Sequence, residues 1–384
     1  MSDPDCIVLG LGGVGSAALC SLARKGVRAL GIERFAPGHD RGSSHGDSRI
    51  IRLAYSEHPD YVPLLRRAYE LWVMLEEGAG RKLLHQTGLL QVGAPEGEVI
   101  RGTLESARAH GLEVERLTAA EAMRRFPGFR IPHDHEAVYE ARAGYLRVED
   151  CIRAHVGEAA RLGAEVRTGE EVRSFRKEGR GFAVETSRGS YSAEALVIAP
   201  GAWAPGLFED LAFPLEVKRK PVFWFRSGSP LYQEGSGCPA YLFETADGKF
   251  YGIPENERMG LKVAEHTGGE AVPDPLRVER TERPADRKRI EAFLDACLPS
   301  ARRELSHHSV CLYTMTPDEH FIVGKHPALE RCAFAAGLSG HGFKLTPALG
   351  EALSDLVTEG RTSLPVAFLA PDRPVLRRRS RADK

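Results

Sequence analysis

Cys6-Ile-Val-Leu-Gly10-Leu-Gly12-Gly-Val-Gly15 is the stretch that decides the fold. Its first residues are a short apolar run containing β-branched Ile7 and Val8, which reads as a buried strand. Gly10-Leu11-Gly12-Gly13-Val14-Gly15 then fits the spacing G-x-G-x-x-G. Gly10 permits the tight turn, Gly12 lets backbone approach a pyrophosphate, and Gly15 allows close helix–strand packing. A helix is expected from about Ser16 to Lys25, ended by Gly26, with its N-terminal N–H groups and positive dipole end aimed at phosphates. Val27 to Ile32 reads as a second strand, stopping at Glu33. That acid is placed to accept hydrogen bonds from a ribose, and it would repel a 2′-phosphate, which disfavours NADP. Strand, glycine turn, helix, strand and acid together make a dinucleotide-binding βαβ unit. The spacing alone does not separate NAD from FAD.

Further α/β pieces are scattered downstream. Residues 61 to 77 carry Leu64, Leu65, Ala68, Leu71, Trp72 and Leu75 on one helical stripe. A second α/β stretch runs through a helix from Glu149 to Leu162, a strand from Glu165 to Thr168, and Ala195-Leu-Val-Ile-Ala-Pro-Gly201. A third has the strand Cys332-Ala-Phe-Ala-Ala336, a glycine-rich loop and a helix to about Leu356. Between about 215 and 275 the pattern changes to strand-like alternation, as in Pro221-Val-Phe-Trp-Phe225 and Lys249-Phe-Tyr-Gly-Ile253. The expected fold is therefore α/β: a Rossmann-like domain assembled from segments 1–85, 146–214 and 311–372, and a β-sheet-rich catalytic domain from 86–145 and 215–310. Residues 373–384 read as a basic, frayed tail.

Composition excludes several classes of function. The chain has 384 residues, 42% hydrophobic and 27% charged, with a net charge of −1. That is a soluble globular mix without the basic excess of a nucleic-acid binder. No apolar run approaches the ~18 residues of a membrane span, and the acidic N-terminus does not read as a secretory signal. Seven cysteines without a Cys-x-x-Cys pair argue against a disulfide framework or zinc site and for a reducing cytoplasm.

Three segments carry chemistry. Arg41-Gly-Ser-Ser-His-Gly-Asp-Ser-Arg-Ile-Ile-Arg52 is a small-residue loop ending in two arginines three apart, which would share a face on a helix. Cys311-Leu-Tyr-Thr-Met-Thr-Pro-Asp-Glu-His-Phe321 and Leu338-Ser-Gly-His-Gly-Phe-Lys344 follow later. Read singly, a lone cysteine is most often a small core residue, and lysines are most often solvated. Together the three segments, and nearly the whole chain around them, resemble the monomeric sarcosine oxidase and N-methyltryptophan oxidase family, within the D-amino acid oxidase-like flavoenzymes.

The resemblance implies FAD as cofactor, bound by a GR2-type Rossmann-like domain with the catalytic sheet over the isoalloxazine. It places a covalent flavin thioether at Cys311 and an oxygen-activating lysine at Lys262. His266 matches an active-site histidine, and Tyr251 and Tyr313 match tyrosines of the substrate cavity. Arg52 and Lys344 match a pair of cations for the substrate carboxylate, and Arg49 and His45 match groups beside the flavin. Leu242 stands where sarcosine oxidases can carry methionine, a position that bears on cavity size. The implied flavin contacts are Gly10, Leu11, Gly12, Gly13, Val14, Gly15, Glu33, Arg34, Gly42, Ser43, Ser44, Arg49, Ile50, Val172, Ala199, Gly201, Trp203, Leu312, Gly340, His341, Gly342, Phe343 and Lys344. The implied reaction is oxidation of the C–N bond of a secondary amino acid to an imine, with O2 reduced to H2O2. Sarcosine leads as substrate. N-methyltryptophan, proline and pipecolate are alternatives, as is a dehydrogenase passing electrons to another acceptor. A cytoplasmic monomer acting on a small amino acid, with no nucleic-acid or membrane partner and no metal, completes the expectation.

Overall fold

The computed structural model describes residues 3–208 and 211–376. The strand Cys6–Leu9 is central to a six-stranded sheet, paired in parallel with Ala29–Glu33 on one side and Ala195–Ile198 on the other. Glu165–Thr168 extends the sheet beyond Ala29–Glu33, and Cys332–Ala336 beyond Ala195–Ile198, both in parallel. Ile322–Lys325 closes the edge antiparallel. Cys6–Leu9 is buried throughout, as strands covered on both faces are.

The helix Gly13–Arg24 packs between Val148–Arg161 and Thr346–Thr358. Its alanines and Gly350 allow the close approach: a Cβ on Gly350 would fall 2.6 Å from the Ala17 backbone. The helix starts at Gly13 rather than Ser16, inside the glycine run, with Gly12 as N-cap. The following strand starts at Ala29 rather than Val27.

A second sheet has nine strands. Its longest pairing joins Glu216–Arg226 to Glu304–Met315, antiparallel, with Lys220 opposite Cys311. Alternation sorts Glu216–Arg226 onto two cores. Phe223 and Phe225 pack under the helix Pro284–Cys297, among Phe250, Val263 and Phe293. Val222 and Trp224 face the other way, with Leu242, Tyr251 and Cys311, toward Ile50 and Tyr145. That second face packs against a small three-stranded sheet that holds Ile50 and Tyr145.

The strand Glu304–Met315 is continuous, so the expected boundary between residues 310 and 311 falls inside one element. The segment with two arginines is the strand Ser48–Ile51, paired with Gly144–Arg147, and not a helix. Arg52 lies one residue beyond the strand's end, so no shared helical face relates it to Arg49.

Of the basic tail, residues 377–384 lie outside the described residues. Within 373–376, Arg373 pairs with Asp318 at 3.1 Å and Leu376 is buried, so this part is docked rather than frayed. Among the described residues no helix is long and apolar enough to cross a membrane, and no cluster of ligating side chains could hold a metal ion.

Candidate active site

A cavity of about 360 Å³ opens at the C-terminal ends of the parallel strands, where open α/β sheets bind nucleotides. Gly10 has φ +84°, and a Cβ there would sit 2.6 Å from the Ala199 carbonyl. A Cβ on Gly15 would fall 1.7 Å from the Gly10 carbonyl, so turn and helix touch only because both are glycines. A Cβ on Gly12 would meet nothing within 4 Å, since that backbone faces the cavity. The helix behind it has no side-chain cap, which leaves N–H groups available to a phosphate. Glu33 is buried at the cavity wall and accepts from Leu11 N at 2.7 Å and Phe35 N at 2.9 Å. It thereby fixes the turn while lining the space a ribose would occupy.

A smaller cavity, about 70 Å³, adjoins the first. Arg49, Tyr313, Gly340 and Phe343 line both and form the common wall. Arg52 and Lys344 reach the small cavity from distant segments, and both are buried. Their cations lie over the ring of buried Tyr55, at 4.8 and 4.9 Å from its centroid. Lys344 Nζ donates to the His341 carbonyl at 2.7 Å. Burial, then the Arg52 charge, lowers its pKa to about 7. Tyr251, His266 and Leu242 complete the wall. Tyr313 Oη lies 3.4 Å from His266 Nδ1. Burial, then the nearby Lys220 charge, pushes His266 down to about 3, so it is neutral.

Behind the common wall stands a cationic knot. Arg49 Nη2 donates to Cys311 Sγ at 3.1 Å, and His45 Nδ1 lies 3.9 Å from the same sulfur. Burial raises the Cys311 thiol, but the His45 and Arg49 charges outweigh it and bring it to about 6. Lys262 is buried, with Nζ donating to the carbonyls of Gly46 at 2.8 Å and Ser48 at 2.6 Å. Its ammonium lies 5.3 Å from the centroid of the Trp224 ring. Burial, then Arg49, lowers it to about 7.

The model of the family described as FAD dependent oxidoreductase (DAO) matches residues 5–356. The chain belongs to this family. Its relatives include a monomeric sarcosine oxidase of Arthrobacter sp. (strain TE1826), 39% identical over 382 residues, 98% of each chain. An N-methyl-L-tryptophan oxidase of Salmonella dublin is 34% identical over 362 residues, covering 94% of this chain and 95% of the other. Among solved structures, NikD, described as an unusual amino acid oxidase essential for nikkomycin biosynthesis, superposes with a TM-score of 0.85 at 27% identity. That match covers 97% of this chain and 98% of NikD.

Membership supplies FAD as the cofactor, and the larger cavity fits it. Gly10, Gly12, Gly13, Val14, Glu33, Arg34, Gly42, Ser43, Ser44, Val172, Ala199, Gly201, Trp203, Leu312 and Gly342 line that cavity, besides the common wall. Ile50, His341 and Lys344, expected at the flavin, line the smaller cavity instead. Leu11 and Gly15 act from behind, through the Glu33 contact and the Gly10 contact. Cys311, His45 and Lys262 form the knot behind the wall.

Several residues escaped the sequence reading. Glu57 closes on Arg52 at 2.6 Å. Glu98 and Lys249, an ion pair at 2.6 Å, also line the smaller cavity. A charged residue in a polar stretch gives no signal of its own. Only the alternation Lys249-Phe-Tyr251 could have placed Lys249 on the face of Tyr251.

Proposed function

We propose that this chain is an oxidase of secondary, N-methyl amino acids of the sarcosine type, with FAD joined covalently to Cys311. One observation carries the reading: two buried cations, Arg52 and Lys344, converge on a small cavity that shares a wall with the dinucleotide cavity. The relatives' names, sarcosine oxidase and N-methyltryptophan oxidase, point the same way.

When bound, the flavin accepts a hydride equivalent from the carbon beside nitrogen and returns two electrons to O2. The chain's residues do the rest. Arg52 offers a planar fork and Lys344 a point charge, and together they fix a carboxylate. That grip sets the amine-bearing carbon at the common wall, and misplacement there costs rate steeply. Tyr251, Tyr313 and Leu242 line the cavity around the substrate. Neutral His266 adds no cation, while Arg49, Arg52 and Lys344 disfavour a protonated amine. Lys262 supplies a fixed positive charge for the negative charge that develops on O2. For covalent attachment, Cys311 is held ready as a thiolate, the nucleophilic form; its sulfur would bond the ring-methyl carbon as that methyl gives up a proton, and the two electrons left on the flavin would pass to O2.

The test is anaerobic mixing of the purified yellow protein with sarcosine and other N-methyl and cyclic amino acids. Bleaching of the flavin, followed by H2O2 release on admitting air, is expected. A flavin that no secondary amino acid bleaches would end the proposal.

A further inference from the structure

The outer end of the smaller cavity carries charges that the Arg52–Lys344 pair leaves unused. Strands Ala240–Thr245 and Gly248–Ile253 pair antiparallel, with Leu242 opposite Tyr251 and Glu244 opposite Lys249. Residues two apart on a strand share a face, so Lys249 stands beside Tyr251, and both line the cavity. Lys249 Nζ lies 2.6 Å from Glu98 Oε2, with the lysine side chain 19% exposed and the glutamate 54%. Glu98 opens the helix Glu98–His110, whose N-cap, Gly97, makes no side-chain cap bond. The next residue, Val99, donates its N–H to Glu244 Oε2 at 3.0 Å. An ammonium and the positive end of a helix thus meet at this wall, each covered by one of the chain's own carboxylates. The inner wall repeats the arrangement, with Glu57 covering Arg52.

We propose that Lys249 is a second anion-binding position in the substrate cavity, and that the preferred substrates are N-methyl amino acids whose side chain ends in a carboxylate. The inference rests on the amino acid oxidase reading above and narrows it to a substrate class. Glu98 is the mobile partner. It is more than half in water, and an ion pair so exposed contributes little, so its release costs little. Lys249 is largely enclosed and stays as the cavity's charge. An incoming carboxylate replaces Glu98 on the ammonium and gains a charge-assisted hydrogen bond in a drier setting. A basic side chain would instead have to displace Lys249 from Glu98, in a cavity where Arg49, Arg52, Lys249 and Lys344 outnumber the carboxylates Glu57, Glu98 and Glu319.

The test compares kcat/KM on the holoenzyme for N-methyl-L-aspartate and N-methyl-L-glutamate with N-methyl-L-alanine and N-methyl-L-leucine. The acidic substrates should lead by about tenfold or more, the scale of one added hydrogen bond to a charged group. Lys249→Met should remove that lead, Lys249→Arg should keep most of it, and Glu98→Gln should widen it. Glu98 is a surface residue, so Glu98→Gln reports even if a Lys249 variant folds poorly. An anaerobic titration read from the flavin absorbance gives a measure without turnover. Succinate should bind more tightly than butyrate to the wild type but not to Lys249→Met. An acidic lead that is absent, or that survives Lys249→Met, overturns the inference, as does a preference for N-methyl-L-lysine. If no N-methyl amino acid reduces the flavin, the parent reading fails by itself, and the succinate titration still decides the role of Lys249.

Discussion

Arg52 Nη2 donates to both carboxylate oxygens of Glu57, at 2.8 and 2.6 Å, so a cation assigned to the substrate already holds a carboxylate of the chain. Burial raises the Glu57 carboxyl, but the Arg52 charge together with those of His341 and Lys344 outweighs it and holds it well below the usual carboxylate range. The glutamate is therefore ionised at neutral pH and competes with the substrate for Arg52. Competition on the order of 1 kcal/mol, the scale of an exposed pair, is a lower bound for this largely enclosed one, with Arg52 6% and Glu57 20% exposed. Glu57→Gln should thus tighten binding of a small carboxylate inhibitor about fivefold or more. Arg52→Ala should weaken it by about 2 kcal/mol or more, the scale of losing one partner of a buried charge contact. Flavin-monitored titration with acetate or methoxyacetate measures both. Unchanged affinity in Glu57→Gln would show that the pair is no competitor, and unchanged affinity in Arg52→Ala would remove Arg52 from the carboxylate site.

The nucleotide-binding layer was legible because its signals are local. Gly10, Gly12, Gly15 and Glu33 form one contiguous unit, and each structural reason for them is a steric fact about a turn. The small cavity was legible only through the family resemblance, because Arg52, Tyr251, His266 and Lys344 meet through tertiary packing that no periodicity announces. Two errors have physical causes. Three-residue spacing at Arg49 and Arg52 means one face on a helix, but Ser48–Ile51 is a strand with Arg52 just beyond its end, and the two arginines reach the smaller cavity without a shared helical face. Glu57, Glu98 and Lys249 look like surface charge in sequence. Their partners decide otherwise, and those partners are distant or lie across a turn.

Cys311 should carry the flavin. Its thiol sits at about 6 because the His45 and Arg49 charges outweigh burial. A group lowered in this way is thiolate above that pH and thiol below it, so attachment of FAD to apoprotein should slow as pH falls through about 6. Acid precipitation of the holoenzyme should leave colour in the pellet, and Cys311→Ser should release it. Arg49→Met should move the pH break upward, since it removes one of the charges favouring the thiolate. Colour lost from the wild-type pellet would rule out the thioether.

Two opposed pH dependences should separate binding from chemistry. Lys344 is lowered to about 7 by burial and then by Arg52, so it is charged below that pH and neutral above it. Carboxylate inhibitor affinity should therefore fall as pH rises through this range, with bound carboxylate moving the break upward by linkage. The substrate's amine behaves the other way. Hydride leaves the carbon readily only when the nitrogen is unprotonated, and neighbouring cations favour that form. The limiting rate of anaerobic flavin reduction should rise with pH, with an apparent pKa below that of the free amine. Lys344→Met should flatten the inhibitor profile and leave the direction of the rate profile intact. A reduction rate independent of pH would contradict the neutral-amine proposal.

Lys262 is the residue proposed for the oxygen reaction. Its ammonium is pinned by the carbonyls of Gly46 and Ser48, in the loop that reaches the flavin cavity through Ser43 and Ser44. A fixed charge in a dry site stabilises negative charge developing on O2 far more than the same charge would in water. Lys262→Met keeps the length and removes the charge, and it leaves the Gly46 and Ser48 carbonyls without this donor, so the variant is compared as folded, flavin-loaded protein. Reoxidation of the reduced flavin by O2 should slow by about 10²–10³, the usual effect of deleting one electrostatic stabiliser, whereas anaerobic reduction by substrate should change much less. The pH dependence gives a second handle. Burial, then Arg49, lowers Lys262 to about 7, so its charge is present below that pH and lost as pH rises. The wild-type O2 rate should therefore fall as pH rises through about 7. The Met variant should show no such break. Stopped-flow reoxidation within about threefold of wild type, a barrier change below 1 kcal/mol, would take Lys262 out of the oxygen reaction.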